Sequence, residues 1–244
     1  MIVAAAACPH PPLLLRELTG RDDVAAGLRV ACLQALAAVL ATGPEVVVVV
    51  GGGDRTQAPD PGGRMPVWRY GGAPGAGRDG SPAAGRDGSH EDVPGTLPLS
   101  VAVGRRLLAE AGCAVPVELH TIAQHAPADE VDRLAASLAG RAERVALLVL
   151  GEGSARRGEK APGYLDARAF DFDAALTAAL QGGDLAALRG LDPALAAELM
   201  VSGRAPWAVL AAAVQAESGR PRASLEYADD PFGVLYLVAT WLLA

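Results

Sequence analysis

Residues 45–54 have the sequence EVVVVVGGGD, in which five consecutive valines are followed by three glycines and an aspartate. Val46–Val50 is apolar on both faces, which is typical of a central parallel strand covered by helices on both sides. This run therefore predicts the middle of a buried sheet. The complete set of predicted strands is Ile2–Ala7, Glu45–Val50, Ala114–Ile122, Arg144–Leu150 and Val234–Trp241.

Helical segments alternate with these strands. Val24–Leu40 carries apolar residues at a spacing close to 3.6, and Leu97–Ala111 and Val131–Leu138 behave similarly. The alternation predicts an α/β fold with a mostly parallel central sheet and helices on both faces. Because crossover connections are right-handed, we expect the C-terminal end of every strand at one edge of the sheet.

The second half of the chain is dominated by helix signals. Asp192-Pro193 combines an N-cap residue with proline at the first helical position, and Ala205-Pro206-Trp207 begins another helix. Residues 168–218 are therefore predicted to form a helical C-terminal flank before the chain returns to the sheet at Val234. No linker separates two folding units, so residues 1–244 are expected to form one domain.

Composition limits the classes of partner and compartment. The chain is 51% hydrophobic and 20% charged, as folded proteins are, and its net charge of −7 argues against a nucleic-acid partner. The apolar run 234–244 is too short to cross a bilayer, so no membrane partner is expected. The three cysteines lie far apart without a CxxC motif, which predicts a reducing, cytoplasmic location.

A loop rich in Gly and Pro spans residues 58–96. It contains the sequence GRDGS at 77–81 and again at 85–89. Repetition of this kind favours a tolerant surface loop. The position of the loop after the second strand leaves a lid over the ligand-binding edge as an alternative.

His10 lies in the sequence Cys8-Pro9-His10-Pro11-Pro12, directly after the first strand. Proline fixes φ and removes a backbone donor, so the strand ends there and the imidazole is presented in the following loop. Ligands of open α/β sheets bind outside the carboxyl ends of the strands. We therefore predict a cleft that His10 shares with the turns after the other strands.

Several of those turns carry groups suited to an anion. Glycines after the second strand allow close backbone approach and free amides, although a plain tight turn is the alternative. Arginines after the fourth strand bind carboxylate or phosphate in a bidentate manner, unless they form an internal salt-bridge network with Glu152, Glu159 and Asp166. The predicted ligand-binding residues are Gly51, Gly52, Gly53, His125, Arg156 and Arg157.

Two further side chains are catalytic candidates. His120 lies near the end of the third strand, and Ser154 follows the fourth. A single histidine in a strand is also compatible with a structural, hydrogen-bonded role. The sequence around Ser154 is not the GxSxG elbow, so a Ser/His/Asp triad is not predicted.

These motifs resemble the class III extradiol dioxygenase catalytic-subunit superfamily, which comprises aromatic ring-opening dioxygenases and their Memo-like relatives. Pro9-His10-Pro11 is similar to the first metal histidine of that family. Residues 120–127, HTIAQHAP, resemble the Memo-like stretch His-Ser-Leu-Glu-x-His-x-Pro. Residues 153–166, GSARRGEKAPGYLD, are similar to a stretch in family members of uncharacterised role. The resemblance covers nearly the whole chain and implies a single domain of the extradiol dioxygenase fold.

The chain also departs from the pattern of that family. The second metal histidine expected near residues 51–54 is absent, and so is the acid/base histidine expected at Ala155 or Arg156. Ferrous ring cleavage uses two histidines and one carboxylate with open positions, which His10 alone does not supply. A rebuilt iron or zinc site of His10, Asp54 and Glu152 is one interpretation, and a protein without a metal cofactor is the preferred one.

The leading hypothesis is a diverged dioxygenase-like protein that binds a small anionic molecule at the strand ends without ring cleavage. An active metal-dependent dioxygenase or hydrolase with the rebuilt ligand set is the first alternative. A non-catalytic interaction protein is the second, and self-association is left open.

Overall fold

The computed structural model describes residues 1–19, 23–70, 95–217 and 220–243. Both copies of the GRDGS repeat and most of the loop 58–96 lie outside these ranges, so the lid hypothesis remains a prediction. Six strands form one sheet in the order β3-β2-β4-β1-β6-β5. They are β1 (Ile2–Cys8), β2 (Val46–Gly53), β3 (Val117–Ala123), β4 (Val145–Leu150), β5 (Arg222–Asp229) and β6 (Tyr236–Leu242).

The sheet is mostly parallel. The pairs β1–β4, β2–β4 and β2–β3 are parallel, whereas β6 is antiparallel to both β1 and β5. The expectation that every strand ends at one edge is therefore wrong for β6. It begins at the edge where β1 to β4 end.

Helices cover both faces of the sheet, which confirms the predicted α/β class. The helices are α1 (Arg16–Thr19), α2 (Ala26–Leu40), α3 (Leu99–Glu110), α4 (Ala128–Ala139), α5 (Arg168–Gly182), α6 (Leu185–Arg189), α7 (Pro193–Glu198) and α8 (Arg204–Gln215). Helices α2 and α3 pack with one apolar core cluster, and α4, α5 and α8 with the other. Val47 and Val49 point into the first cluster, and Val48 and Val50 into the second, so β2 is buried on both faces as predicted. None of the helices in the described ranges is both long and apolar enough to cross a membrane.

Strand β5 has no counterpart among the sequence predictions. It is an edge strand whose residues alternate between exposed and half-buried. Its half-buried residues Ala223, Leu225 and Tyr227 are separated by polar ones, and this short alternation lacks the long apolar runs that identify the central strands. The strand signal in the sequence is weak because only one face of β5 is covered by the protein.

The three glycines after the valine run continue β2 instead of forming a tight turn. Gly51, Gly52 and Gly53 pair with residues 121–123 of β3. A Cβ atom at Gly51 would lie 2.4 Å from the Ser100 Oγ of α3. The Ser100 hydroxyl in turn donates a hydrogen bond to the Gly52 carbonyl at 2.7 Å. Glycine is therefore required here by the close approach of α3.

We expect Gly51→Ala to destabilise the protein by about 1–3 kcal/mol, because the added methyl group would overlap Ser100 in a packed layer. The free energy of unfolding in urea measures this loss. Gly27→Ala is the matched control, since a Cβ atom at Gly27 on α2 meets nothing within 4 Å. Equal stability of the two variants would contradict the packing explanation.

Candidate functional site

His10 is held on a fixed turn after β1. The side chain of Arg29, which is 1% exposed on α2, reaches this turn. Its Nε donates to the Leu14 carbonyl at 3.1 Å, and its Nη2 donates to the Leu13 carbonyl at 3.1 Å. Asp23 pairs with the same guanidinium. A buried guanidinium, paired with the half-buried Asp23, thus fixes the segment that follows His10.

Glu152, two residues after β4, is the direct partner of His10. Its Oε1 accepts a hydrogen bond from the His10 backbone N–H at 2.8 Å. The same oxygen lies 3.5 Å from the His10 Nδ1, a buried atom that makes no aligned hydrogen bond. Because Nδ1 is buried beside this carboxylate, Nε2 is the ring nitrogen available to a bound molecule. The predicted proximity of His10 and Glu152 is confirmed.

Ser202 fixes the other side of the Glu152 carboxylate. Its hydroxyl donates to Oε2 at 2.9 Å and accepts the Glu152 backbone N–H at 2.9 Å. The buried phenol of Tyr236 has its pKa raised to about 12, first by burial and then by the charge of Glu152. Sequence reasoning missed Ser202, since it lies in the connection between two helices and belongs to no motif.

A cavity of about 410 Å³ opens beside His10, between the ends of β2 and β3 and the start of α3. Its lining is largely polar. The side chains with hydrogen-bonding or charged groups include His10, Asp54, Arg55, Gln57, Thr96 and Gln124. Gly52 and Gly53 also line it, whereas Gly51 is buried and does not, and a role of the glycines in binding remains a prediction.

Arg55 is the cationic residue that sequence reasoning passed over. Its side chain is exposed at the cavity and makes no hydrogen bond or ion pair with any described residue. The backbone of Arg55 is fixed, because its carbonyl accepts a hydrogen bond from the Thr121 hydroxyl at 2.8 Å. Gln57 pairs with the same threonine through two backbone hydrogen bonds. In the sequence, the one feature that could have indicated Arg55 as a site residue is its position shortly after the glycines of β2.

The predicted metal set is not assembled. Within the described ranges, no three His, Cys, Asp or Glu side chains are grouped so that they could hold a metal ion. Both Glu152 oxygens accept protein hydrogen bonds, and Asp54 is exposed. The interpretation of His10, Asp54 and Glu152 as a rebuilt iron or zinc site is therefore wrong, and the donor set does not fit the metal of the resembled family.

His120 does not line the cavity that holds His10. It lies in the middle of β3, opposite Val50, while its neighbour Thr121 faces the cavity from the other side of the strand. The His120 Nε2 lies 3.5 Å from the Glu118 Oε2, and Glu118 also pairs with Arg141. Burial lowers the pKa of His120, with Glu118 opposing that shift. The prediction that His120 shares a cleft with His10 is wrong because its side chain lies on the face of β3 opposite to that of Thr121.

Ser154 is fully buried and belongs to an internal network. Its hydroxyl donates to the Asp173 Oδ2 at 2.5 Å, and its backbone N–H donates to Oδ1 at 2.9 Å. Arg157 joins this network through Asp173, 3.2 Å away, and also pairs with Asp230. Burial raises the pKa of Asp173, while Ser154 and Arg157 oppose the shift. The prediction of Ser154 as a catalytic residue is wrong.

The arginines after β4 are directed away from the cavity by the course of the chain. Gly153 donates its N–H to the Leu235 carbonyl, and Leu235 donates to the Ser154 carbonyl. The segment thereby pairs with residues just before β6 instead of remaining beside β2. The Arg156 Nη1 lies 3.6 Å from the Asp166 Oδ2. The alternative of an internal salt-bridge network is confirmed for this pair, and the prediction of Arg156 and Arg157 as ligand-binding residues in the His10 cleft is wrong.

His125 lies at the same edge of the sheet but in a separate depression. It is exposed and lines a cavity of about 500 Å³ with Asp54, Gln124 and Glu130. Gly53, Asp54 and Gln124 border both cavities, so the two adjoin. The prediction of His125 at the strand-end edge is confirmed, whereas a role in binding remains a prediction.

Comparison with known proteins defines the fold only. No protein-family model matches the chain, and no curated protein matches it. The chain is similar to the crystal structure of the uncharacterized protein JW3007 from Escherichia coli K12, with a TM-score of 0.51 and 15% sequence identity. The match covers 98% of this chain and 99% of that one. The likeness shows that the α/β architecture extends over both chains.

We expect His120→Gln to reduce the acid sensitivity of the fold. Because the pKa of His120 is lowered on folding, the unfolded chain takes up its proton first as the pH falls below about 6.5. Wild-type protein should therefore lose more free energy of unfolding between pH 7.5 and pH 5 than the variant. Urea titrations at the two pH values measure the difference, and His125→Gln controls for the loss of an imidazole. Identical pH dependence in all three proteins would contradict a depressed His120 pKa.

We expect Asp173→Ala to destabilise the protein by about 3–5 kcal/mol, because Arg157 and the buried Ser154 would lose their shared partner. Asp171→Ala, at an exposed position of the same helix, should change stability by less than about 1 kcal/mol. Thermal and urea unfolding of both variants provide the comparison. A mild effect of Asp173→Ala would show that the network contributes little to the fold.

Proposed function

We propose that this protein binds a small anionic molecule in the cavity beside His10, without cleaving an aromatic ring. The observation that supports this most is the guanidinium of Arg55, which has no partner among the described residues and shares the cavity with the imidazole of His10. Arginine binds carboxylate and phosphate groups in a bidentate manner. The proposal keeps the anionic ligand predicted from the sequence, but Arg55 takes the role predicted for Arg156 and Arg157.

The other lining groups restrict the ligand further. A volume of about 410 Å³ suits a small molecule, and Gln57, Thr96 and Gln124 offer both donors and acceptors. Asp54 at the same cavity repels a second negative group and favours a hydroxyl or amine. The ligand class we propose is therefore a small molecule with one anionic group and at least one hydrogen-bond donor.

The side chains around His10 are unsuitable for the ferrous iron that ring cleavage needs. The reaction in the resembled family uses two histidines and one carboxylate around ferrous iron. Here Glu152 is occupied by His10 and Ser202, and no group of three suitable side chains occurs within the described residues. We propose that the chain is a diverged member of that family on the basis of its motifs at 9–11, 120–127 and 153–166.

The pairing of His10 with Glu152 favours proton transfer as a second candidate function. A carboxylate beside Nδ1 stabilises the tautomer that carries its proton on Nδ1, and Nε2 is then free to accept a proton from a bound molecule. Such a dyad suits abstraction of a proton or activation of water in hydrolysis.

The location that we propose is the cytoplasm. All three cysteines are free thiols, which is typical of proteins in a reducing compartment.

Binding of inorganic phosphate, glycolate and 4-hydroxybenzoate, each of which carries an anionic group and a hydroxyl donor, is measured by calorimetry and thermal shift and tests the proposal. We expect Arg55→Gln to weaken binding of the best probe at least tenfold, as loss of a charge-assisted hydrogen bond of about 1.5–3 kcal/mol implies. Arg133→Gln, which removes the same charge from an exposed position on helix α4, should bind like wild type. Failure of the wild-type protein to bind any of the three anions, or equal binding by Arg55→Gln, would refute the proposal.

A further inference from the structure

Two exposed side chains lie on backbone that favours glycine. Tyr164 has φ 59° and Met200 has φ 57°, and they are the only non-glycine residues with positive φ in the described part of the chain. Five other described positions with positive φ are glycines. Side chains disfavour this left-handed conformation, so a chain with 29 glycines retains Tyr and Met here against the local preference. Such positions indicate a role for the side chain itself.

Tyr164 and Met200 are close neighbours. Tyr164 is 74% exposed and Met200 is 48% exposed. A Cβ atom on Gly163 would lie 2.7 Å from the Met200 Sδ, so the thioether covers the residue next to Tyr164. Leu165 is 53% exposed. These three residues form what we term the loop-edge patch.

Further exposed apolar side chains lie around the loop-edge patch. Phe232 precedes Gly233, which packs against Ala161 of the same loop. The ring of Phe170 stacks under Arg157, 4.7 Å from its guanidinium carbon. With these two, the region holds five of the nine large apolar residues that are exposed within the described ranges. A concentration of this kind marks an interaction surface.

The loop that carries the patch is firmly anchored. Gly163 donates its N–H to the Ala155 carbonyl at 3.0 Å, and Asp166 donates to the Arg156 carbonyl at 3.0 Å. Tyr164 closes a turn on Ala161 at 2.9 Å. A surface fixed in advance loses little conformational entropy on association.

The charges beside the patch are self-complementary. Glu159 and Lys160 are adjacent and exposed, and neither pairs with a described residue. They lie in the turn that precedes the turn of Tyr164. The Ala161 N–H donates to the Gly158 carbonyl in this turn, and the Tyr164 N–H donates to the Ala161 carbonyl in the next. In a two-fold arrangement whose axis passes beside these two residues, Glu159 of one copy would face Lys160 of the other, and the reverse. The same surface would then supply both members of two ion pairs.

We propose that the loop-edge patch is a two-fold interface between two copies of this chain. Two-fold dimers are the commonest soluble assemblies, and they require the self-complementarity that this surface has. Tyr and Met are enriched in the centres of such interfaces, and charged groups lie at their rims. Tyr164 and Met200 form the apolar centre, and Glu159 and Lys160 set the register.

Sedimentation and light scattering at 1–100 µM determine the oligomeric state, and we expect twice the chain mass of 24.8 kDa. Lys160→Glu places like charges opposite one another and should raise the dimer dissociation constant at least tenfold. The reciprocal swap E159K together with K160E should restore dimerisation to within threefold of wild type. A wild-type monomer across this range overturns the proposal, and so does a dimer that the single substitution leaves unchanged.

The paired substitution Tyr164→Gly and Met200→Gly tests the apolar centre. Glycine accepts the left-handed backbone, so we expect a monomer whose melting temperature is close to that of wild-type protein diluted below its dissociation constant. Val30→Ala, at an exposed position on α2, is the control and should remain a dimer. An intact dimer in the double glycine variant overturns the assignment. If that variant fails to fold, the charge swap decides.

Discussion

The carboxylate of Glu152 holds together the part of the molecule on which function depends. Its two oxygens accept hydrogen bonds from the His10 backbone and the Ser202 hydroxyl, so one side chain joins the ends of β1 and β4 to the segment before α8. Hydrogen bonds to a charged acceptor are worth about 1.5–3 kcal/mol each. The imidazole of His10 takes its position from this connection.

A second carboxylate has the contrasting role. Asp173 is 1% exposed and binds Ser154 and Arg157 on the α5 side of the loop that follows β4. Glu152 fixes the start of that loop on the side of the cavity. Asp173 fixes it two residues later, at Ser154, on the side of the protein interior. Arg156 and Arg157, which follow in the loop, pair with aspartates of the protein itself. Arg55 is therefore the arginine that we expect to bind a ligand in the cavity.

The sequence is sufficient for the central sheet and only partly for the site. Long apolar runs identify β1, β2 and β4, and parallel topology then brings His10 and Glu152 together. The missed features depend on pairing between distant segments. Edge strand β5 is buried on one side only, and the direction taken by Ser154 and Arg157 depends on hydrogen bonds to Leu235. The end of β3 is predicted to within one residue, but His120 was misplaced because successive side chains of a strand point to opposite faces, and Thr121, not His120, lines the cavity.

The single lysine of the chain gives the molecule an unusual chemical property. Lys160 is exposed on the anchored loop after β4, and all other basic side chains except histidine are arginines. Reagents selective for ε-amines therefore have one side chain to modify. A fluorophore attached there would report on this loop and on the rim of the proposed interface between two copies.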